Sequence, residues 1–179
     1  MQLTIFGASG KTGGHLIHKA LERGHHVVAF ARTPSKIYLQ HQSLTIVQGD
    51  VRAAETVSFA IKGSDGVINV ISPTPDSPDD LMTQAVKHII SGMQEHGVRR
   101  LIWSTGAGVR SAEDDPTLMQ KTIEFLLKLV ARDVFENARR GVTAVKNSDL
   151  NWTIVRAPML TNEARKRDYR VSYVDSNMG

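Results

Sequence analysis

Leu3-Thr4-Ile5-Phe6-Gly7-Ala8-Ser9-Gly10-Lys11-Thr12-Gly13 joins a short apolar run to a glycine-rich turn. Leu3 to Phe6 is short and apolar and reads as a buried strand. From Gly13 to Arg23, Leu16, Ile17, Ala20 and Leu21 gather on one face of a helix, and Gly24 supplies its stop. The glycines therefore fall where a strand turns into a helix. Gly7 permits the tight turn, Gly10 lets the backbone approach a pyrophosphate with no Cβ in the way, and Gly13 allows the helix to pack closely on the strand. A helix N-terminus placed there aims free N–H groups and the positive end of its dipole at an anion. Ser9 and Thr12 add hydroxyl donors and Lys11 adds charge. The spacing is G-x-x-G-x-x-G and not G-x-G-x-x-G, and a purely structural turn would need neither three spaced glycines nor two hydroxyls.

Working outward, Val27 to Ala31, Leu44 to Val47, Gly66 to Ile71, Leu101 to Trp103 and Trp152 to Val155 are further short apolar runs bounded by Gly, Asp or Pro. Helical spacing lies between them. Asp79 or Asp80 is placed to cap a helix carrying Leu81, Ala85, Val86, Ile89, Ile90 and Met93, closed by Gly97. A longer helix is expected after Pro116, with Leu118, Ile123, Leu126, Leu127 and Val130 inward. Strands alternating with helices predict an α/β fold, a Rossmann-like doubly wound parallel sheet in one domain, with strand order near 3-2-1-4-5-6. That domain spans 1–179, with a small irregular C-terminal segment from about 157, in which only Tyr169 to Val174 alternates like a strand.

The 179 residues carry 22 Lys+Arg against 18 Asp+Glu, a net charge of +4, and are 41% hydrophobic, which suits one globular domain. The excess charge is small and spread out, with no aromatics interleaved among Lys and Arg, so a nucleic-acid partner is not expected. No apolar run approaches the ~18 residues needed to cross a bilayer, and no basic segment or small-residue cleavage site precedes Leu3. A cytoplasmic protein is expected, in keeping with zero cysteines, which also exclude a disulfide scaffold, a thiolate metal site and a cysteine nucleophile. His15 and His18 lack a third ligand and read as surface histidines, and Glu113-Asp114-Asp115 reads as helix-start charge. Nothing in the residues specifies an oligomeric state.

A second signal lies about 20 residues beyond the turn, where an acidic residue would hydrogen-bond an unphosphorylated ribose. Ala31-Arg32-Thr33-Pro34-Ser35-Lys36 stands there instead. A carboxylate would repel a 2′-phosphate, whereas a guanidinium grips it in fork geometry, so Arg32, with Thr33 and Lys36, points to NADP(H). A solvated basic corner is the competing reading. Asp50, after Gly49 at the end of the third strand, is placed for the adenine amino group, or alternatively to cap a helix before Ala53.

These residues, together with Gly49-Asp50-Val51, Asp65-Gly66-Val67-Ile68, His96-Gly97-Val98 and Leu150-Asn151-Trp152-Thr153-Ile154-Val155-Arg156-Ala157-Pro158, resemble the atypical short-chain dehydrogenase/reductases, in the NAD(P)-binding NmrA-like branch that includes flavin reductase and biliverdin reductase B. The resemblance spans nearly the whole chain in order. It implies that Val70-Ile71-Ser72 passes the nicotinamide ribose, that Ser104-Thr105-Gly106 faces the nicotinamide, and that Ala157-Pro158-Met159 closes over it. It places Asp50 and Val51 among the cofactor residues and Ser104 and Thr105 as the catalytic candidates. Two departures matter. None of Tyr38, Tyr169 and Tyr173 has Lys four residues later, so the Tyr-x-x-x-Lys proton donor is missing, and Gly106 replaces the serine that biliverdin reductase B carries after the strand-five Thr. The expected function is an NADPH-dependent reductase of a small conjugated acceptor such as a flavin or quinone. The alternative is a non-catalytic NADP(H) sensor of the NmrA type.

Overall fold

Along the chain, β1 (Gln2–Phe6), α1 (Lys11–Glu22), β2 (His26–Ala31), a 3-10 turn (Pro34–Lys36), β3 (Leu44–Gln48), α2 (Ala54–Ile61), β4 (Gly66–Asn69), α3 (Leu81–Glu95), β5 (Arg100–Gly106), α4 (Arg132–Lys146) and β6 (Asn151–Ala157) follow one another. The structure is a computed structural model that describes residues 1–74, 77–106, 109, 132–157 and 160. The helix expected after Pro116, the acidic run at Glu113, the strand-like Tyr169 to Val174, and Pro158 and Met159 lie outside the described residues.

The six strands form one sheet in the order β3-β2-β1-β4-β5-β6, and every neighbouring pair is parallel. This is the expected Rossmann-like doubly wound sheet. Parallel pairing requires a crossover between strands, and the helices supplying it cover both faces. Strand alternation assigns the faces. Ile5, Val27 and Ala29 turn toward Ile17 and Ala20 of α1, while Phe6, Val67, Leu101 and Trp103 turn toward α2, α3 and α4. Burying each large side chain of these layers contributes about 1.5–3 kcal/mol. Both long crossover helices stop as their glycines predict. Gly24 N–H bonds the Leu21 carbonyl and His25 N–H that of Ala20, while Gly97 N–H bonds Gln94 and Val98 N–H bonds Met93.

Asp80 takes the N-cap position of α3 without a capping side-chain bond. Helix α4 is not foreseen from the sequence. Its Arg132, Asp133, Glu136, Arg139 and Arg140 mask the spacing of Ala138, Val142 and Val145, two of which are buried. Gly141 lets α4 settle on the Trp103 ring, 3.2 Å from where a Cβ would stand.

Strand order reverses between β1 and β4, so the loops leaving these neighbours diverge and open a crevice at the carboxyl ends of the strands. Among the described residues no helix is long and apolar enough to cross a membrane. A separate groove of about 470 Å³ lies beside β3 and α2, lined in part by Ile46 and Phe59, at the sheet edge and away from that crevice.

Candidate functional site

The crevice is built from the turn that follows β1. Gly7 has φ +79°, a left-handed conformation that a side chain would strain. Gly10 N–H closes the turn onto the Gly7 carbonyl at 3.1 Å, and Gly14 N–H bonds the Gly10 carbonyl at 2.9 Å. Gly10 itself is the N-cap of α1, in extended conformation and with no side chain to cap the helix. The N–H groups of Lys11, Thr12 and Gly13 are left facing the crevice with the positive end of the helix dipole behind them. Packing explains the remaining glycines. A Cβ on Gly13 would stand 2.2 Å from the Gly7 oxygen, and one on Gly7 would stand 2.8 Å from the Ile71 nitrogen. The turn, α1 and the loop after β4 are thus in backbone contact. The half-buried Ser9 and Thr12 and the exposed Lys11 flank this cradle. Unused N–H donors at an uncapped helix start, with no Cβ between them and a ligand, fit the pyrophosphate of a dinucleotide.

On the β2 and β3 side, Arg32 and Thr33 are exposed immediately beyond β2, and Lys36 is exposed at the end of the 3-10 turn. The Gly49 N–H bonds the Ala31 carbonyl at 3.1 Å, which brings Asp50 beside the end of β2. Asp50 does not cap α2, whose N-cap is Ala53. Its Oδ1 accepts from the Arg52 backbone N–H at 2.9 Å and Nε at 3.1 Å, and its Oδ2 accepts from Nη2 at 2.8 Å. The Arg52 hydrogen bond holds the Asp50 carboxyl below its ordinary pKa, with the Arg32 charge assisting. Val51 is buried, and its carbonyl accepts the Nδ1–H of His88 at 2.8 Å. Arg52 and His88 escape a motif-based reading of the sequence. The first sits just two positions from its partner, and the second comes from a helix 37 residues away.

Because the Asp50 pKa is depressed, its stabilising contribution is present above the unfolded value of about 3.9 and is lost as pH falls through the folded one. Arg52→Ala should move the Asp50 carboxyl back up toward that ordinary value, as read by carboxyl-carbon NMR titration. A titration curve unchanged by the substitution would contradict the pairing.

On the β4 and β5 side, Val70 and Ile71 are half-buried and Ser72 is exposed. Ser104 and Thr105 are both half-buried near the end of β5, in register with Val155 and Arg156. Alternation separates them. Ser104 falls on the α1 face and Thr105 on the α3 and α4 face, so the two hydroxyls cannot act as one pair. Gly106 ends the strand exposed, and Arg156 ties β6 to the loop after β5 by donating to the Val109 carbonyl at 3.2 Å. Tyr38 is 90% exposed, at the β2 and β3 side of the sheet. Among the described residues no cluster of three His, Cys, Asp or Glu side chains could hold a metal, and His18 pairs with Glu22 at 3.0 Å.

Comparison with known proteins agrees with this geometry. Residues 7–179 match the sequence profile of the family described as NAD(P)H-binding. The chain is 29% identical over 169 residues to the uncharacterized protein YwnB of Bacillus subtilis (strain 168), covering 93% of this chain and 76% of that one. It spans 34% of the length of the cinnamoyl-CoA reductases that it also matches, from Oryza sativa and Petunia hybrida. Among solved structures, a short-chain dehydrogenase/reductase of Veillonella parvula in complex with NADP superposes with a TM-score of 0.78 at 20% identity, over 94% of this chain and 74% of that one. The anaerobilin reductase ChuY of Escherichia coli O157:H7 gives 0.73 at 19% identity, over 98% and 84%. Likeness at these identities is a likeness of fold.

Proposed function

This chain belongs to the NAD(P)H-binding family, and from that membership we propose that it is an NADPH-dependent reductase that passes hydride to a small conjugated acceptor such as a flavin or quinone. The observation that carries the reading is the uncapped start of α1 at Gly10, opening on the β1 and β4 crevice, with Arg32 one residue beyond the neighbouring strand. Gly7, Ser9, Gly10, Lys11, Thr12 and Gly13 receive the pyrophosphate. Arg32, Thr33 and Lys36 take the 2′-phosphate, and Asp50 and Val51 border the adenine. Val70, Ile71 and Ser72 line the nicotinamide ribose. The nicotinamide ring, when bound, supplies the hydride. The residues at the end of β5 orient its surroundings through Ser104 and Thr105, one from each face of the sheet.

None of Tyr38, Tyr169 and Tyr173 is followed by Lys four residues on, so the paired Tyr and Lys of a side-chain proton donor are missing. The acceptor class follows from that chemistry. A flavin or quinone takes hydride at ring nitrogen or carbon and its proton from solvent, so the reaction needs no side-chain acid of matched pKa. A ketone, whose developing alkoxide does need one, is disfavoured.

The test is NADPH consumption by the wild-type chain with a panel of flavins, quinones and aldehydes. Turnover with flavins or quinones supports the reading. Tight NADPH binding with turnover of none identifies a non-catalytic NADP(H) sensor, which the same glycine turn serves equally well. If Ser104 and Thr105 orient the reactants, Ser104→Ala/Thr105→Val should slow turnover and leave NADPH binding in place. Unchanged turnover in steady-state assays would move the chemistry elsewhere.

A further inference from the structure

We propose that Asn69 is a positioning residue for the nicotinamide half of the cofactor. Its carboxamide turns the Val70–Ile71 peptide so that the Val70 carbonyl becomes an acceptor beside the glycine turn. The inference rests on the cofactor reading above and deepens it.

Asn69 is the last residue of β4 and is 0% exposed, in register between Phe6 of β1 and Trp103 of β5. A primary amide in such an aromatic row is costly, and an apolar residue would fill the space without that cost. Only part of the amide is used. Its Oδ1 accepts the Ile71 N–H at 3.4 Å, while Nδ2 has no hydrogen-bond partner among the described residues. The fold keeps a buried, half-satisfied amide, and the contact it gains is with the backbone of the crevice.

The Val70–Ile71 peptide is trans, so its N–H and C=O point in opposite directions. With the Ile71 N–H drawn inward onto Asn69, the Val70 carbonyl points the opposite way, and the flat of this peptide lies against Gly7. A Cβ on Gly7 would lie 2.8 Å from the Ile71 nitrogen, 2.9 Å from the Val70 carbonyl carbon and 3.0 Å from its oxygen, so the loop and the glycine turn are in backbone contact. The Val70 N–H is fixed on the Phe6 carbonyl at 3.0 Å, which holds the other side of the same loop. An acceptor thus stands next to the donors of α1, and the two sort a dinucleotide by chemistry. The phosphates are drawn to the N–H groups and repelled by the carbonyl oxygen. Ribose hydroxyls and a primary carboxamide, which carry O–H and N–H donors, suit the carbonyl.

The probes are NADPH and adenosine 2′,5′-bisphosphate, which keeps the adenine and the 2′-phosphate and lacks the nicotinamide half. Each is titrated calorimetrically against the full chain. Asn69→Leu removes both the acceptor and the unpaired Nδ2. It should weaken NADPH by about fivefold to tenfold, the loss of one hydrogen bond's orientation, and hold the bisphosphate within about twofold. Asn69→Ser keeps a neutral hydroxyl oxygen able to accept from the N–H two residues on and should hold NADPH within about threefold. Equal weakening of both probes in Asn69→Leu, or no weakening, overturns the proposal. Failure of Asn69→Leu to melt cooperatively also overturns it, because the residue is then a structural requirement. A selective loss of NADPH in Asn69→Ser as large as that in Asn69→Leu does so independently. A wild-type chain that binds neither probe instead refutes the cofactor reading on which the proposal stands.

Discussion

Gly13→Ala is expected to lose more than about 3 kcal/mol of folding stability, and with it measurable NADPH binding. The added methyl would stand 2.2 Å from the Gly7 oxygen and 2.7 Å from the Ala8 Cα, and both of these are backbone atoms. A side chain could swing aside. Here either α1 must move away from β1 or the turn must reshape, and the turn also touches the loop after β4 through Gly7. Gly14→Ala, one residue on, provides the control. A Cβ there meets nothing within 4 Å, so the variant should be more stable than wild type by about 0.5–1 kcal/mol, the ordinary gain of Ala over Gly inside a helix. Urea denaturation of the two variants, followed by NADPH titration, checks both signs. Equal stability of Gly13→Ala and wild type would contradict the close contact of α1 with the turn.

The second large effect concerns Arg32. Arg32→Ala should raise the Kd for NADPH by roughly one to two decades, the loss of a charge-assisted contact of about 1.5–3 kcal/mol, and leave NADH nearly unchanged. Arg32 is exposed, so the substitution removes no packing, and the effect belongs to the ligand's 2′-phosphate alone. Neighbouring Asp50 sharpens the expectation. Its carboxylate is engaged on both oxygens by Arg52 and only secondarily feels Arg32, so Arg32 remains available to an incoming anion. The loss should shrink as salt rises, since an exposed ion contact is screened. An equal loss for NADH and NADPH in parallel titrations would contradict a 2′-phosphate contact.

The sheet was legible in the sequence because each strand is a short apolar run between turn residues, and the glycine turn was legible because its chemistry is local. What remained hidden depends on partners distant in sequence or on faces. Helix α4 carries charge at six of its 15 positions, and its apolar positions acquire meaning only when Gly141 is found against Trp103. Asn69 lies inside the apolar run from Gly66 to Ile71, and its importance comes from the backbone of the next two residues. Asp50 satisfies either of its sequence readings equally well until Arg52 is seen folded onto it. Ser104 and Thr105 look like a pair in sequence, yet the period of a strand sends them to opposite faces.

We propose that the crevice between β1 and β4, with Arg32 at its edge, selects NADP(H) over NAD(H). Calorimetric titration of the wild-type chain with NADPH and with NADH, in one buffer at moderate ionic strength, tests it most directly. NADPH should bind at least about tenfold tighter than NADH, and equal affinities for the two, or binding of neither, would contradict that selectivity.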